Sequence, residues 1–121
     1  MSSNSDFADL ERQIGEFSRE RNWEKFHQPK NLILAAMGEL GELAELLQWK
    51  SDSEVIEFIA TADGRERIKE EIADVAIYLI RLCQTQNIDF VEALSAKLKK
   101  NETNYPLEKA KDNSTKYTEF K

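Results

Sequence analysis

The sequence predicts an all-α fold, a helical bundle of about four main helices plus a short one. Two observations carry that expectation. Apolar residues recur at steps of three and four over long stretches, the period of a helix with one buried stripe. The 121 residues include only four Gly and two Pro, and are 40% hydrophobic and 33% charged, a globular helical composition rather than a disordered or β-rich one.

The first helix is expected to start near Ser5 or Asp6, where Phe7, Leu10, Ile14 and Phe17 form one stripe, and to fade near Asn22. A short aromatic segment, Trp23-Glu24-Lys25-Phe26-His27-Gln28, follows. Pro29 suits the first turn of a second helix that runs to about Trp49. Lys50 to Ser53 reads as a connection, Glu54 to Ala60 as a short helix and Thr61 to Gly64 as a turn. The third main helix covers roughly Arg65 to Gln86. Asn87-Ile88 separates it from the fourth, where Asp89 and Glu92 have capping-box spacing and Tyr105-Pro106 marks the end. No linker divides the chain, so residues 1–121 are expected to form one domain, with 107–121 a polar, lysine-rich, mobile tail.

A net charge of −6 and a pI near 4.9 argue against nucleic-acid polymers and anionic membranes as partners. With that charge, contact with a polyanionic small molecule requires a mediating cation. Cys83 is the only cysteine, which excludes an internal disulfide and fits a reducing compartment. No secretory signal is visible at the N-terminus, and the longest apolar run, Leu32 to Met37, is too short to cross a bilayer. The expectation is a soluble, cytoplasmic protein.

The most informative residues are acids in apolar stripes. Successive helical residues turn about 100°, which places Glu39 and Glu42 about 60° apart. With Glu39 at zero, Leu32, Leu43, Leu46 and Ala35 all fall within about 40° of it. Glu39 is then central to the apolar stripe, and Glu42 lies at its edge. Glu71 and Asp74 repeat the spacing on the third main helix, among Ile68, Val75, Tyr78 and Leu82. If the two helices pack face to face, four carboxylates converge. Two like charges about 5 Å apart repel by roughly 3 kcal/mol at an effective dielectric near 20, so the group needs protons or a counter-ion. An all-oxygen set selects a hard divalent cation such as Mg²⁺. Acids at spacing three also occur on solvated faces, and Glu66 and Glu70 are assigned there; two inward pairs favour a site. A di-iron or zinc centre fits poorly, because His27 is the only histidine and Cys83 the only cysteine.

Glu39-x-x-Glu42, then 28 intervening residues, then Glu71-x-x-Asp74, resembles the MazG-like nucleotide pyrophosphohydrolases, and among them the dCTP pyrophosphatases. So do Trp23-Glu24-x-Phe26-His27-Gln28-Pro29, Gln48-Trp49-Lys50, Asp74-Val75-x-Ile77-Tyr78-Leu79, Tyr105-Pro106 and Lys116-Tyr117-Thr118-Glu119. The resemblance implies an Mg²⁺-dependent hydrolase that splits a nucleoside triphosphate between its α- and β-phosphates, releasing monophosphate and pyrophosphate. It further implies a homotetramer, a dimer of dimers, with sites between subunits. On the same ground Glu39, Glu42, Glu71 and Asp74 are the metal ligands and catalytic acids. Trp23, Glu24, Lys25, Phe26 and His27 would bind substrate, with Trp49 and Tyr78 as further contacts.

Lys97 and Asn101, one turn apart, match the family's phosphate-contacting pair, or else form a solvated edge beside Lys99 and Lys100. Trp23, Phe26 and Trp49 either stack on a base or close the core. Ile14 replaces a histidine of the dCTP pyrophosphatases, and Asn104 an arginine, so tolerance of other deoxynucleotides is expected. Two rival readings stay open: a non-enzymatic oligomerising module with a structural cation, and an antitoxin-like partner protein.

Overall fold

The computed structural model describes residues 4–112 and 114–119, and every regular element among them is helical. Two compact units divide the chain, 1–87 and 88–121. The first holds α1 (Asn4–Glu20), α2 (Pro29–Leu47), α3 (Asp52–Ala60) and α4 (Ala62–Thr85). The second holds α5 (Phe90–Asn104) and a single turn, α6 (Leu107–Ala110). Four long helices and a short one are therefore present as the periodicity predicts. None of the described helices is long and apolar enough to cross a membrane.

Within the first unit α4 is the hub: it packs most extensively on α2, then on α3 and α1. That is the face-to-face packing that the two acidic stripes call for. The buried hydrophobic core is small, consisting of Leu32 and Ala36 from α2 and Ile80 from α4. Much of the apolar surface remains open. Met37, Leu40 and Ile72 are each more than half exposed, as is Trp49 just past the end of α2. The all-round apolar character of the third main helix predicts burial on several sides; in the single chain Ile72, Ile77 and Leu79 are instead exposed. Helices α1, α2 and α3 are too few to cover its circumference.

Helix ends explain how the segments are aimed. α1 stops because Asn22 adopts a left-handed φ of 56°. Its N–H donates to the Arg19 carbonyl, while that of Trp23 reaches the Ser18 carbonyl, a Schellman closure with Asn in the glycine role. The turn brings the Trp23 ring to 5.6 Å from Phe17, edge to face. A 3-10 turn at Glu24–Phe26 then leads to Pro29 at the start of α2.

Two boundary expectations are corrected. Asp52 and Ser53 belong to α3 rather than to a connection, because Ser51 caps the helix in a full capping box with Glu54. Ala62 to Gly64 form the first turn of α4 and not a loop. The Thr61 hydroxyl accepts from the Gly64 N–H at 3.0 Å, and Gly64 is buried against the end of α3. The polar tail contains α6 and a 3-10 turn at Tyr117–Glu119, with Tyr105 and Tyr117 in edge-to-face contact at 5.6 Å. At Asp89 only half of the expected box is present, with its carboxylate accepting from the Glu92 N–H at 2.9 Å.

Candidate functional site

Packing α2 on α4 gathers Glu39, Glu42 and Glu71, each offering one carboxylate oxygen, with all three oxygens within 4.8 Å of one another. Glu39 and Glu71 are half-buried and Glu42 is exposed. This follows the helical-wheel position of each: Glu39 central in its stripe, Glu42 at the edge. The cost of the gathering is visible in Glu39. Its carboxyl is pushed up to about 7, first by hydrogen bonding with Glu71, then by burial, and then by the charges of Glu42, Asp74 and Glu71. In addition, Glu71 Oε2 is buried with no hydrogen-bond partner. A buried carboxylate oxygen without a donor is costly, and three acids at this spacing repel. Both conditions are relieved by a cation. Oxygen donors alone, drawn from three carboxylates, suit a hard divalent ion.

Asp74 is exposed and lies outside this trio, although it is close enough for its charge to act on Glu39. It lines an apolar cavity of about 410 Å³ between α1 and α4, together with Leu10, Ile14, Phe17, Trp23 and Tyr78. His27, Ile77 and Arg81 complete the principal walls. The cavity therefore pairs an aromatic, apolar interior with an acid at its margin. Ile14 is part of its lining, so the departure noted at that position changes a wall that a substrate in this cavity would touch.

His27 is held from behind. Arg81 Nε donates to His27 Nδ1 at 3.2 Å, and Arg81 Nη1 donates to Gln84 Oε1 at 2.8 Å. Burial, followed by the Arg81 charge, holds the His27 imidazolium form down, with Glu24 opposing. Because Nδ1 accepts a hydrogen bond, the ring proton resides on Nε2. Arg81 is the residue that motif reasoning missed. A cue was present: it interrupts the apolar stretch from Ile77 to Leu82, as Glu39 interrupts the stripe of α2.

Within the first unit, the other expected contacts Phe26 and Trp49 do not line this cavity. Phe26 is exposed, with the Lys25 ammonium over its ring at 5.2 Å. Trp49 is 88% exposed. Lys97 and Asn101 belong to α5 in the second unit, where Lys97 lines a shallow surface hollow with Lys99, Lys100 and Tyr117.

Known proteins with similar sequences and folds agree with this architecture. Residues 35–120 match the MazG-like family. The chain is 45% identical to dCTP pyrophosphatase 1 of Homo sapiens over 112 residues, covering 93% of this chain and 66% of the human protein. It is 43% identical to the Mus musculus protein of the same name, with the same coverage, so it spans just under two thirds of those relatives. The Bos taurus counterpart is 41% identical over 119 residues, covering 98% of this chain and 70% of that one. Among solved structures, a pyrophosphatase from Archaeoglobus fulgidus superimposes with a TM-score of 0.78 at 38% identity, covering 88% of this chain and 97% of that one. With the helical fold, the paired acidic motif and these matches in agreement, the chain belongs to the MazG-like family.

Proposed function

We propose that this protein is a nucleoside triphosphate pyrophosphohydrolase, dependent on a divalent cation and acting in housecleaning of the nucleotide pool. The observation that carries the reading is the juxtaposition of the Glu39–Glu42–Glu71 cluster with an aromatic-lined cavity that has Asp74 at its margin. One end suits a cation-bound polyphosphate and the other a nucleobase. Relatives named dCTP pyrophosphatase support a deoxycytidine nucleotide as substrate, and Ile14 in the cavity wall favours tolerance of related deoxynucleotides.

Glu39, Glu42 and Glu71, with Asp74 beside them, would hold the ion, for which Mg²⁺ is the hard-oxygen choice. When bound, it supplies charge neutralisation to the phosphate oxygens. In the hydrolysis, water adds to one phosphorus flanking the α–β bridge, the bridging oxygen departs with the other, and the water proton passes to Glu39 or Glu42. The base enters the cavity against Trp23 and Tyr78, while His27 presents its Nε2 proton to an acceptor on the base edge. Lys97, Asn101 and Trp49 are proposed to contact substrate from a neighbouring subunit of a homotetramer. The extensive exposed apolar surface supports self-association.

The test is pyrophosphate release from a panel of ribo- and deoxynucleoside triphosphates, with Mg²⁺ and with chelator. Metal-dependent release, fastest with deoxycytidine substrates, is expected. Absence of release from every nucleotide, by a folded and metal-bound protein, would leave a cation-binding structural module instead.

A further inference from the structure

A second cavity, polar and about 570 Å³, lies against α1 and α4 and shares His27 and Arg81 with the apolar cavity as a common wall. Arg81 is 6% exposed, an unusually complete burial for a guanidinium. Its hydrogen bonds go to neutral acceptors, His27 Nδ1 and Gln84 Oε1, and Gln84 is fixed in turn by donating to the Glu11 carbonyl at 2.7 Å. These bonds orient the fork without neutralising it. Arg81 has no carboxylate within ion-pair distance among the described residues, and the same holds for Arg19. Both guanidinium groups converge above Gly15. A side-chain carbon there would lie 3.4 Å from Gln84 Oε1, 3.5 Å from Arg19 Nη1 and 3.8 Å from Arg81 Nη1, so the glycine leaves open a space faced by the two cations and by the amide oxygen that already accepts from Arg81. Glu24 and Glu11 line the same cavity beyond ion-pair distance of either arginine, so the Glu24 charge reaches Arg81 only from a distance and is opposed there by that of Arg19, and Arg12 is already paired with Asp9 and Glu16. A buried positive charge calls for a counter-charge, and a second cation beside it increases the need.

We propose that this cavity binds a phosphate-type oxyanion, held between Arg19 and Arg81 over Gly15. A tetrahedral oxyanion matches two guanidinium forks better than a point contact does. The site is separate from the acid cluster: Arg81 lies ten residues, roughly 15 Å of helix rise, beyond Glu71. Because Arg81 also holds His27, an anion bound here touches the residue that orients the wall of the apolar cavity.

The experiment is calorimetric titration of the full chain with inorganic phosphate, in chloride buffer with EDTA so that metal-mediated binding at the acids is silent. Saturable binding is expected, unchanged in Glu39→Gln, weakened about tenfold in Arg19→Lys and lost in Arg19→Glu. Arg19→Glu places a carboxylate beside Arg81, so it should also raise the thermal midpoint of the phosphate-free protein. Arg81→Met, which removes the buried charge at similar length, is the second variant and should likewise abolish binding. Pyrophosphate and a deoxynucleoside monophosphate, titrated in the same way, distinguish a free anion from a nucleotide as the source. Phosphate binding that survives Arg19→Glu or disappears in Glu39→Gln overturns the proposal, as does no saturable binding up to about 10 mM. Failure of the nucleotide panel above leaves this titration interpretable, since it needs neither metal nor turnover.

Discussion

The two ends of the α4 interior have opposite electrostatic characters. Toward its N-terminal half, α4 supplies Glu71 to a cluster of acids; toward its C-terminal half it supplies Arg81 to a pair of cations. In both places a charged side chain sits where an amphipathic helix ordinarily puts an apolar one. They differ in how the strain is accommodated. At the acids, proton uptake is accessible, and the Glu39 carboxyl is already displaced to about 7. At the arginines it is not, because guanidinium stays charged at any relevant pH. The acid end is therefore adjustable by proton uptake at the acids and by metal, whereas at the other end Arg81 itself keeps its charge and only its partner His27 titrates.

The sharpest way to break that contrast is to neutralise one member of the acid cluster. Glu42→Gln and Glu71→Gln should each lower kcat/KM by about a thousandfold, corresponding to several kcal/mol of lost charge stabilisation. In metal-free protein the same substitutions should raise the thermal midpoint, since they remove repulsion. Near-normal turnover of folded Glu42→Gln would end its assignment.

Next in size is Trp23→Ala. Loss of a stacking surface worth on the order of 1–3 kcal/mol should raise KM at least several-fold with little change in kcat. An unchanged KM would mean that Trp23 only packs on Phe17 and His27.

The pH dependence of stability should then run in opposite directions at the two ends. Glu39 has a folded value above its unfolded one, so its contribution is present below about 4.5 and is lost as the pH rises through about 7. His27 is depressed from its ordinary 6.5, so its contribution is present above that value and is lost as pH falls below it. Thermal scans of Glu39→Gln and His27→Gln in EDTA should separate the two slopes. Mg²⁺ should flatten only the first, because it competes with protons at Glu39. A flat profile for chelated His27→Gln between about 4.5 and 7, where the opposing slope of His27 is absent, would contradict the crowding of the acids.

Much of this was legible in the residue order, for identifiable reasons. Helices α1, α2 and α4 announce themselves by period, α5 by its Asp89 cap and the Tyr105-Pro106 stop, and Glu39 and Glu71 by standing within apolar stripes. The α3–α4 corner was misread because Asp-Gly after Thr61 has the composition of a turn; only the Thr61 cap shows that it begins a helix. Asp74 was expected among the metal ligands from the repeat of the acidic pair and from the family resemblance; its side chain lines the margin of the apolar cavity while its charge acts on Glu39, a rotation that a helical wheel does not resolve. Arg81 escaped attention because no motif contains it, and its partner His27 is 54 positions away in sequence.

Gly64 has a consequence for everything downstream of it. A Cβ there would stand 2.0 Å from the Phe58 carbonyl oxygen and 2.9 Å from Thr61 Oγ1, so even alanine forces α3 and α4 apart. The corner acts as a hinge pin that sets the azimuth of α4, and a small swivel at its base is carried along the rod to Glu71 and onward to Arg81. Gly64→Ala should cost about 1–3 kcal/mol as an overpacked contact. It should also blunt metal affinity from two turns away, so that the smallest side chain in this corner governs the aim of the most highly charged ones.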